Sequence, residues 1–223
     1  MLTGENGAVL HGSHFGPWIP VRLRPLVEEH SLLRQAVEAG YAAAFANAYP
    51  RDWPGTGRRR VAGPPLAAQA AGLLTRDHTR LRTGEAVASE IVNDGWRRWA
   101  GVDAVPETTA EAAGRVLGDI ASSHLLTLFA HYATDTAGHR GGMDGAVSSL
   151  ERVDAFLAGV LDRLPAEHAL MIVSDHGNIE DVRGGHTRNP ALGLLVGPEA
   201  GPRASRLKGL QDVAPQAMEW LAA

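Results

Sequence analysis

The residues best suited to chemistry follow two apolar runs of strand length. In the later one, Ala169-Leu170-Met171-Ile172-Val173 leads directly into Ser174-Asp175-His176-Gly177-Asn178, and His186 lies ten residues beyond His176, next to a pair of glycines. The run predicts a buried strand, and open α/β sheets place their sites at the carboxyl ends of strands. Because neighbouring residues on extended backbone point to opposite sides, Asp175 and His176 are predicted to face two different metal ions.

The earlier run, His124 to Tyr132, is followed by Asp135 and His139, which are four residues apart with Gly138 between them. The glycine allows a tight turn that would bring the carboxylate and the imidazole to one ion. A single histidine is more often a hydrogen-bonded structural residue than a ligand, but acid and imidazole side chains rarely recur beside glycine at strand ends by chance. We therefore predict a two-metal centre with the ligands Asp135, His139, Asp175, His176 and His186.

The elements that must position these residues are predicted from periodicity and capping. A long amphipathic helix runs from Gly141-Gly142 to Pro165, so His124 to Ser174 is predicted to be a βαβ unit with a right-handed parallel crossover. A helix capped by Ser31 precedes a short buried strand, Tyr41 to Ala48. Three further helices are predicted at Leu66–Leu74, Glu85–Trp99 and Thr109–Ile120. The predicted fold class is α/β, with a mostly parallel sheet flanked by helices.

Composition limits the class of protein. At 223 residues the chain suits one α/β domain, residues 1–223, in which residues 50–123 are predicted to form a small helical lid. Its 21 Lys and Arg against 25 Asp and Glu give a net charge of −4, without a strongly basic face for nucleic acid. There is no cysteine, so a metal must be held by histidine and carboxylate. The absence of a signal peptide and of an apolar run of about 18 residues predicts a cytoplasmic protein without a membrane partner.

Two other motifs have simpler interpretations. Gly55-Thr56-Gly57 beside Arg58-Arg59-Arg60 resembles a phosphate-binding loop, but it lacks a Lys-Ser/Thr ending and a preceding strand, so a solvated loop is favoured. Ser174-Asp175-His176 does not predict a Ser/His/Asp hydrolase, because sequence neighbours do not stack into a relay and no Gly-x-Ser-x-Gly elbow occurs. Structural roles are also favoured for the histidines outside the predicted centre, which are His11, His14, His30, His78, His124, His131 and His168.

Together, Asp135-x-x-x-His139, Asp175-His176-Gly177-Asn178 and His186-Thr187 resemble the metal-binding motifs of the alkaline phosphatase superfamily, specifically of its cofactor-independent phosphoglycerate mutase and phosphopentomutase branch. The similarity extends from Leu2-Thr3-Gly4 through Asn189-Pro190. The resemblance implies that Asp135, His139 and His186 bind one divalent ion and that Asp175 and His176 bind a second. Mixed nitrogen and oxygen ligation suits Mn²⁺ or Zn²⁺. It further implies phosphoryl transfer on a small phosphorylated metabolite, by a phosphatase or a phosphomutase.

In that family an aspartate on a first strand and a Ser or Thr nucleophile complete the second ion site, and both are expected upstream of Met1. The chain is therefore expected to be truncated at its amino terminus, to lack the first strand of the sheet, and to be inactive or impaired by itself. Arg188, two residues after His186, is expected to bind the substrate phosphate. Residues 50–123 are too few for a large transferase domain, which favours hydrolysis or a minimal mutase reaction. The alternative is a catalytically inactive metal-binding or protein-interaction module, and the oligomeric state is left open.

Overall fold

The computed structural model describes residues 1–13, 15–55 and 60–222. His14 and most of the loop predicted around residues 55–60 lie outside these ranges, so their interpretations stay predictions. The helices of the described ranges are α1 Gly7–His11, α2 Arg24–His30, α3 Leu32–Glu38, α4 Gly63–Ala70, α5 His78–Arg82, α6 Asp94–Ala100, α7 Ala110–Ser122, α8 Ala133–Arg140, α9 Gly142–Arg163, α10 Ala200–Ala204 and α11 Val213–Leu221. The strands are β1 Ala43–Phe45, β2 Leu126–Leu128, β3 Leu170–Val173 and β4 Gly193–Val196. The predicted α/β class is confirmed.

Local sequence signals explain where several helices begin and end. The Ser31 hydroxyl accepts a hydrogen bond from the Arg34 amide (3.4 Å) and caps α3, as predicted. The Thr109 hydroxyl accepts one from the Ala112 amide (3.1 Å) at the start of α7. Gly40 follows α3 with a φ of 81°, a left-handed conformation that glycine adopts without strain, and the helix stops there.

The predicted helix at Glu85–Trp99 is wrong over its first half. Val87 instead forms a parallel bridge with Asn47, and its backbone exchanges two hydrogen bonds of 2.9 Å with the residues on either side of that asparagine. Ile91 has a φ of 73°, which no helix interior tolerates. Val87 and Ile91 are both buried, each 1% exposed, in this non-helical segment. Only Asp94–Ala100 is helical.

The strands form two separate two-stranded sheets within the described ranges. β1 and β2 are parallel, with Ala44 opposite Thr127. β3 and β4 are antiparallel, with Ile172 opposite Leu194. The predicted order of strand, long helix and strand is present. Within the described ranges, however, β2 and β3 do not pair with each other, so the predicted parallel crossover pairing is not observed. β4 matches the four-residue length of β3 and pairs along all of it, and parallel pairing is limited to β1 and β2.

Asn47 extends the pairing of β1 with β2 beyond the ends of both strands. Its buried side-chain amide donates to the Ala130 carbonyl (2.7 Å), and its Oδ1 accepts from the Ala130 amide (2.8 Å). The same amide donates to the Ser89 hydroxyl (3.0 Å). The side chain therefore replaces a backbone partner and fixes the path of the chain from β2 into α8.

The long helix α9 packs against α7 with close backbone contact. A methyl group on Gly114 would lie 2.0 Å from the Phe156 carbonyl oxygen, and one on Gly159 would lie 2.0 Å from the Glu111 carbonyl oxygen. Phe156 and Leu117 are buried in the core cluster beneath this crossing. Glycine on both helices is therefore what lets α9 lie flat on α7 on its way from α8 to β3.

The two largest core clusters combine residues of β1, or of the chain that directly follows it, with residues of the helices. One contains Phe45 of β1 and Leu66 of α4, and the other contains Ala46, Leu117 and Phe156. The assignment of residues 50–123 to a lid stays a prediction. No helix of the described part of the chain is long and apolar enough to span a bilayer.

Candidate metal centre

Asp135 and His139 lie on one face of the short helix α8. Side chains four residues apart on a helix are neighbours, and His139 Nε2 lies 3.4 Å from Asp135 Oδ1. The predicted tight turn at Gly138 is therefore wrong, because helical spacing brings the two groups together without it. Gly138 serves another purpose: a methyl group there would lie 2.3 Å from Asn178 Oδ1, so the glycine lets the loop after β3 contact α8 directly.

The loop after β3 carries Asp175 and His176 to the same place. β3 ends at Val173, and the chain bends at once, with the Ser174 hydroxyl donating to the His176 carbonyl oxygen (2.7 Å). His176 Nε2 lies 3.6 Å from Asp175 Oδ1. The prediction that these side chains point to opposite sides is wrong, because the backbone at residues 174–176 is no longer an extended strand.

The five predicted ligands form one cluster around Asp135. The Nε2 atoms of His139, His176 and His186 lie 3.4, 3.7 and 3.7 Å from its Oδ1 atom. The ring centroids of His176 and His186 are 3.8 Å apart, and those of His139 and His186 are 4.8 Å apart. Asp175 joins the cluster through His176, and its side chain is 70% exposed. The structure therefore brings together every residue predicted as a metal ligand.

The spacing and the donor atoms of this cluster fit a divalent cation. Separations of 3.4 to 3.7 Å are longer than hydrogen bonds. Around an ion with ligands at about 2.0 to 2.1 Å, neighbouring ligand atoms of a tetrahedron lie about 3.3 Å apart. The ligand atoms of Asp135, His176 and His186 lie within 4.8 Å of one another. The distances thus place His176 near both Asp135 and Asp175, whereas the family resemblance implied that His176 shares an ion with Asp175 alone.

Asn178 is a site residue to which the sequence assigned no role. Its side chain is 4% exposed, and its Nδ2 donates to Asp135 Oδ1 (2.7 Å) and to the Asp135 carbonyl (3.1 Å). The hydrogen bond orients the carboxylate that the three imidazoles surround. An asparagine directly after Asp-His-Gly at a strand end was the available signal, but only the fold shows which carboxylate it reaches.

Glu180 holds the loop between β3 and β4 in shape. Its carboxylate accepts hydrogen bonds from the Asn178 amide (2.6 Å), the Asn189 side chain (3.0 Å) and the Thr187 hydroxyl. These hydrogen bonds, that of the Thr187 hydroxyl foremost, lower the pKa of Glu180 to about 2. The Thr187 amide also donates to the Gly177 carbonyl (2.9 Å). The two ends of the loop that carry the histidines are therefore held side by side.

Tyr132 directly precedes α8, and its hydroxyl oxygen lies 3.4 Å from that of Tyr49. Desolvation raises the pKa of both phenols, and the negative charge of Asp175 adds to the rise at Tyr132. Both tyrosines are therefore protonated at neutral pH, and one hydroxyl donates to the other.

The segment from Gly184 to Arg188 places His186 against α8. Gly185 has a φ of 78°, and a methyl group there would lie 3.3 Å from the His139 ring, so glycine suits both the backbone and the space. Arg188 is exposed, and its predicted contact with substrate phosphate stays a prediction.

Residues 101–223 match the family profile of the Metalloenzyme superfamily. The chain is also similar to proteins named 2,3-bisphosphoglycerate-independent phosphoglycerate mutase. It is 34% identical to that of Desulforudis audaxviator over 129 residues, which covers 53% of this chain and 25% of the relative. Identity to that of Syntrophotalea carbinolica is 35% over 127 residues (52% and 25%), and to that of Halobacterium salinarum 29% over 190 residues (72% and 37%). The chain thus spans about a quarter of the length of the first two. No solved structure matches the chain significantly.

The matched region covers more than half of the chain and contains all five residues of the cluster around Asp135. It also contains β2, α8, α9 and β3, the elements that carry those residues into contact. The resemblance inferred from the motifs is confirmed, and the chain belongs to the Metalloenzyme superfamily.

Proposed function

We propose that this chain is the metal-binding part of a phosphoryl-transfer enzyme that acts on a small phosphorylated metabolite. The observation that supports it most directly is the convergence of two carboxylates, those of Asp135 and Asp175, and three imidazoles in one cluster. The relatives are mutases named for a phosphorylated substrate, phosphoglycerate. Because the chain spans only a part of those relatives, the proposal concerns the activity of the whole protein.

The proposed ligands divide between two divalent ions, Mn²⁺ or Zn²⁺. The first ion is held by Asp135, His139 and His186, and the second by Asp175 and His176. When bound, two such metal ions would stabilise the negative charge on the phosphoryl oxygens. The chain itself supplies orientation, because Asn178 holds the Asp135 carboxylate and Glu180 holds the loop that presents His176.

The nucleophilic Ser or Thr and the remaining aspartate ligand are proposed to lie outside residues 1–223. This part of the proposal rests on the family resemblance of the motifs. With Asp175 and His176 alone, the second ion has fewer than the three protein ligands usual for a catalytic site. We favour hydrolysis or a minimal mutase reaction, in which Arg188 binds the substrate phosphate. The proposed location of the protein is the cytoplasm.

Calorimetric titration with Mn²⁺ and with Zn²⁺ tests the metal centre. The unmodified chain is expected to bind, and His186→Ala is expected to weaken binding by more than about 100-fold, since even an outer hydrogen bond to a ligand is worth about 10- to 100-fold. His30→Ala is the matched control, because His30 is exposed and its nearest carboxylate, that of Glu29, is 4.0 Å away. Equal metal affinity in the chain and in His186→Ala would contradict the assignment.

A further inference from the structure

The long helix α9 carries a second apolar face that is largely exposed. The members of this face, which we call the outer seam, are Met143, Val147, Leu150, Asp154, Leu157 and Leu161. They follow one another at alternating intervals of four and three positions, the seven-residue repeat through which helices pair in coiled coils. Met143, Val147, Leu150 and Leu161 are 66%, 46%, 46% and 49% exposed. Aliphatic side chains on one line of a helix, unlike single exposed ones, are typical of an interaction site.

The outer seam is separate from the face of α9 that packs against α7. That buried face includes Phe156 and Val160, which join Leu117 of α7 in one core cluster. At about 3.6 residues per turn, the outer seam lies about a third of a turn away from it. Leu157, at the border, is half-buried and packs against the same cluster. Packing within the described ranges therefore leaves exposed an apolar line about 27 Å long, at about 1.5 Å per residue.

The charged residues at the outer seam are all acidic. Asp154 belongs to it, and Asp144 and Glu151 border it on the side away from α7. All three are exposed, and none of them forms an ion pair with another residue of the described ranges. Arg152 lies on the opposite side of α9 from Leu150, because residues two apart on a helix do not share a face. The outer seam is therefore apolar along its length and negative at its centre and along one border.

We propose that the outer seam binds an amphipathic helix of a partner protein, one with aliphatic residues along one face and Lys or Arg beside them. A second helix fits the seven-residue repeat, since its side chains can enter the spaces between those of α9. Basic residues complement Asp144 and Glu151. A partner Lys or Arg that reaches Asp154 prevents the burial of an unpaired carboxylate. The docking surface goes beyond the proposed function, and its occupation does not require a metal.

Charge disfavours a second copy of this chain as the occupant. Two copies joined through their outer seams would each bring Asp154 into an apolar contact without a basic residue to pair with it. In an antiparallel pair, the acidic borders that contain Glu151 would also face each other and repel. A basic partner helix removes both costs, because its charges are opposite to those of α9.

The inference is tested with a fluorescent helical peptide of about 20 residues, the length of the outer seam. Its apolar positions are leucine in a seven-residue repeat, with lysine at the flanking positions and at the position that faces Asp154. Anisotropy titration with residues 1–223 is expected to show saturable one-to-one binding that weakens as salt is added, because salt screens the flanking charges. A peptide with glutamate in place of every lysine is expected not to bind.

Two double variants separate the apolar contribution from the charge. Val147→Ser with Leu150→Ser is expected to weaken binding of the lysine peptide by about 10- to 100-fold, the effect of no longer burying two half-exposed aliphatic side chains. Glu151→Lys with Asp154→Lys is expected to reverse the preference, so that the glutamate peptide binds more tightly. Leu192→Ser is the matched control, because Leu192 is an exposed leucine outside α9. Circular dichroism checks that each variant is folded.

Four outcomes would overturn the inference. The first is the absence of saturable binding of the lysine peptide to the unmodified chain. The second is an equal affinity of that peptide for the chain and for Val147→Ser with Leu150→Ser. The third is self-association, measured by sedimentation, that this double variant abolishes, since the occupant is then a second copy. The fourth is a longer form with upstream sequence that does not bind the peptide, since the outer seam is then covered within one polypeptide.

Discussion

One oxygen atom of Asp135 accepts the Asn178 hydrogen bond (2.7 Å) and has three imidazole nitrogens within 3.7 Å. Because the amide is buried and also donates to the Asp135 carbonyl, it fixes the side chain relative to its own backbone. The carboxylate therefore needs little reorganisation when an ion binds.

Replacing Asn178 should accordingly weaken metal binding although it is not a ligand. Asn178→Ala is expected to lower the Zn²⁺ affinity by about 10- to 100-fold, the usual effect of losing an outer hydrogen bond to a ligand. Calorimetric titration measures it. Asn6→Ala is the control, since the Asn6 side chain accepts a hydrogen bond from the Val9 amide at the start of α1, and its loss should leave the affinity unchanged. An unaltered affinity in Asn178→Ala would show that the carboxylate is oriented by other contacts.

The Glu180 carboxylate makes the order of its loop dependent on pH. Its pKa is lowered from 4.5 to about 2 by the hydrogen bonds it accepts, so its stabilising contribution is complete above pH 4.5 and is lost as the pH falls towards 2. Protection of the Thr187 amide from hydrogen exchange, relative to its intrinsic exchange rate at each pH, should therefore fall as the pH is lowered across this range. Glu180→Gln should show low protection at both ends and no such step, whereas Glu5→Gln should behave as the unmodified chain does. A step that persists in Glu180→Gln would assign it to another group.

The sequence predicted the five residues that the structure brings into one cluster, and it missed the residues that orient them. Aspartate and histidine beside glycine at strand ends are recognisable because few structural roles need that combination. Asn178 and Glu180 are equally involved, but asparagine and glutamate occur in most loops, and their partners, Asp135 and Thr187, are identified only by the folded backbone. The pairing of His176 with both carboxylates depends on a bend at Ser174 that no strand rule predicts.

Among the elements, the crossing of α7 and α9 depends on glycine. Gly159→Ala would place a methyl group 2.0 Å from the Glu111 carbonyl, so the helices must separate. We expect a loss of at least about 1 to 3 kcal/mol in the free energy of unfolding, the range for overpacked sites. Gly145→Ala in the same helix has nothing within 4 Å and should be neutral or stabilising by about 0.5 to 1 kcal/mol.

Urea unfolding followed by circular dichroism measures both variants. Equal midpoints for Gly159→Ala and Gly145→Ala would mean that the crossing accommodates a side chain. A loss of Zn²⁺ affinity in Gly159→Ala is also expected, because α9 joins the two segments that carry the ligands.

Elements with a strong local signal were predicted well. The cap at Ser31, the helix predicted from Thr109 and the long helix before Pro165 follow from hydrogen-bonding and periodicity within a few residues. The predicted helix at Glu85–Trp99 is wrong in its first half because Val87 pairs with Asn47, which is distant in sequence. The partner of β3 was not predicted, because β4 was not recognised as a strand in the sequence.

For the whole molecule, the chain covers about a quarter of two of its relatives, and the nucleophile is proposed to lie outside residues 1–223. Residues 1–223 are therefore expected to hydrolyse p-nitrophenyl phosphate at a rate on the order of 10⁶ lower than a longer form with upstream sequence, the cost of losing a nucleophile. Metal-dependent turnover by residues 1–223 at the rate of the longer form would contradict the proposal. Metal binding without turnover in either form would instead favour an inactive metal-binding module.

The antiparallel pair of β3 and β4 stands apart from the other sheet, and its strands are partly exposed. Two-stranded sheets are marginal by themselves, and such regions open locally while the rest of a protein stays folded. Asp175, His176 and His186, three of the predicted ligands, all lie on the connection between these strands, so we expect only the closed population to present them to α8. We therefore expect the apparent metal affinity to equal the intrinsic affinity multiplied by the closed fraction. By the same equilibrium, each bound ion would withdraw molecules from the open population, and metal occupancy would appear as order in the carboxyl-terminal quarter of the chain.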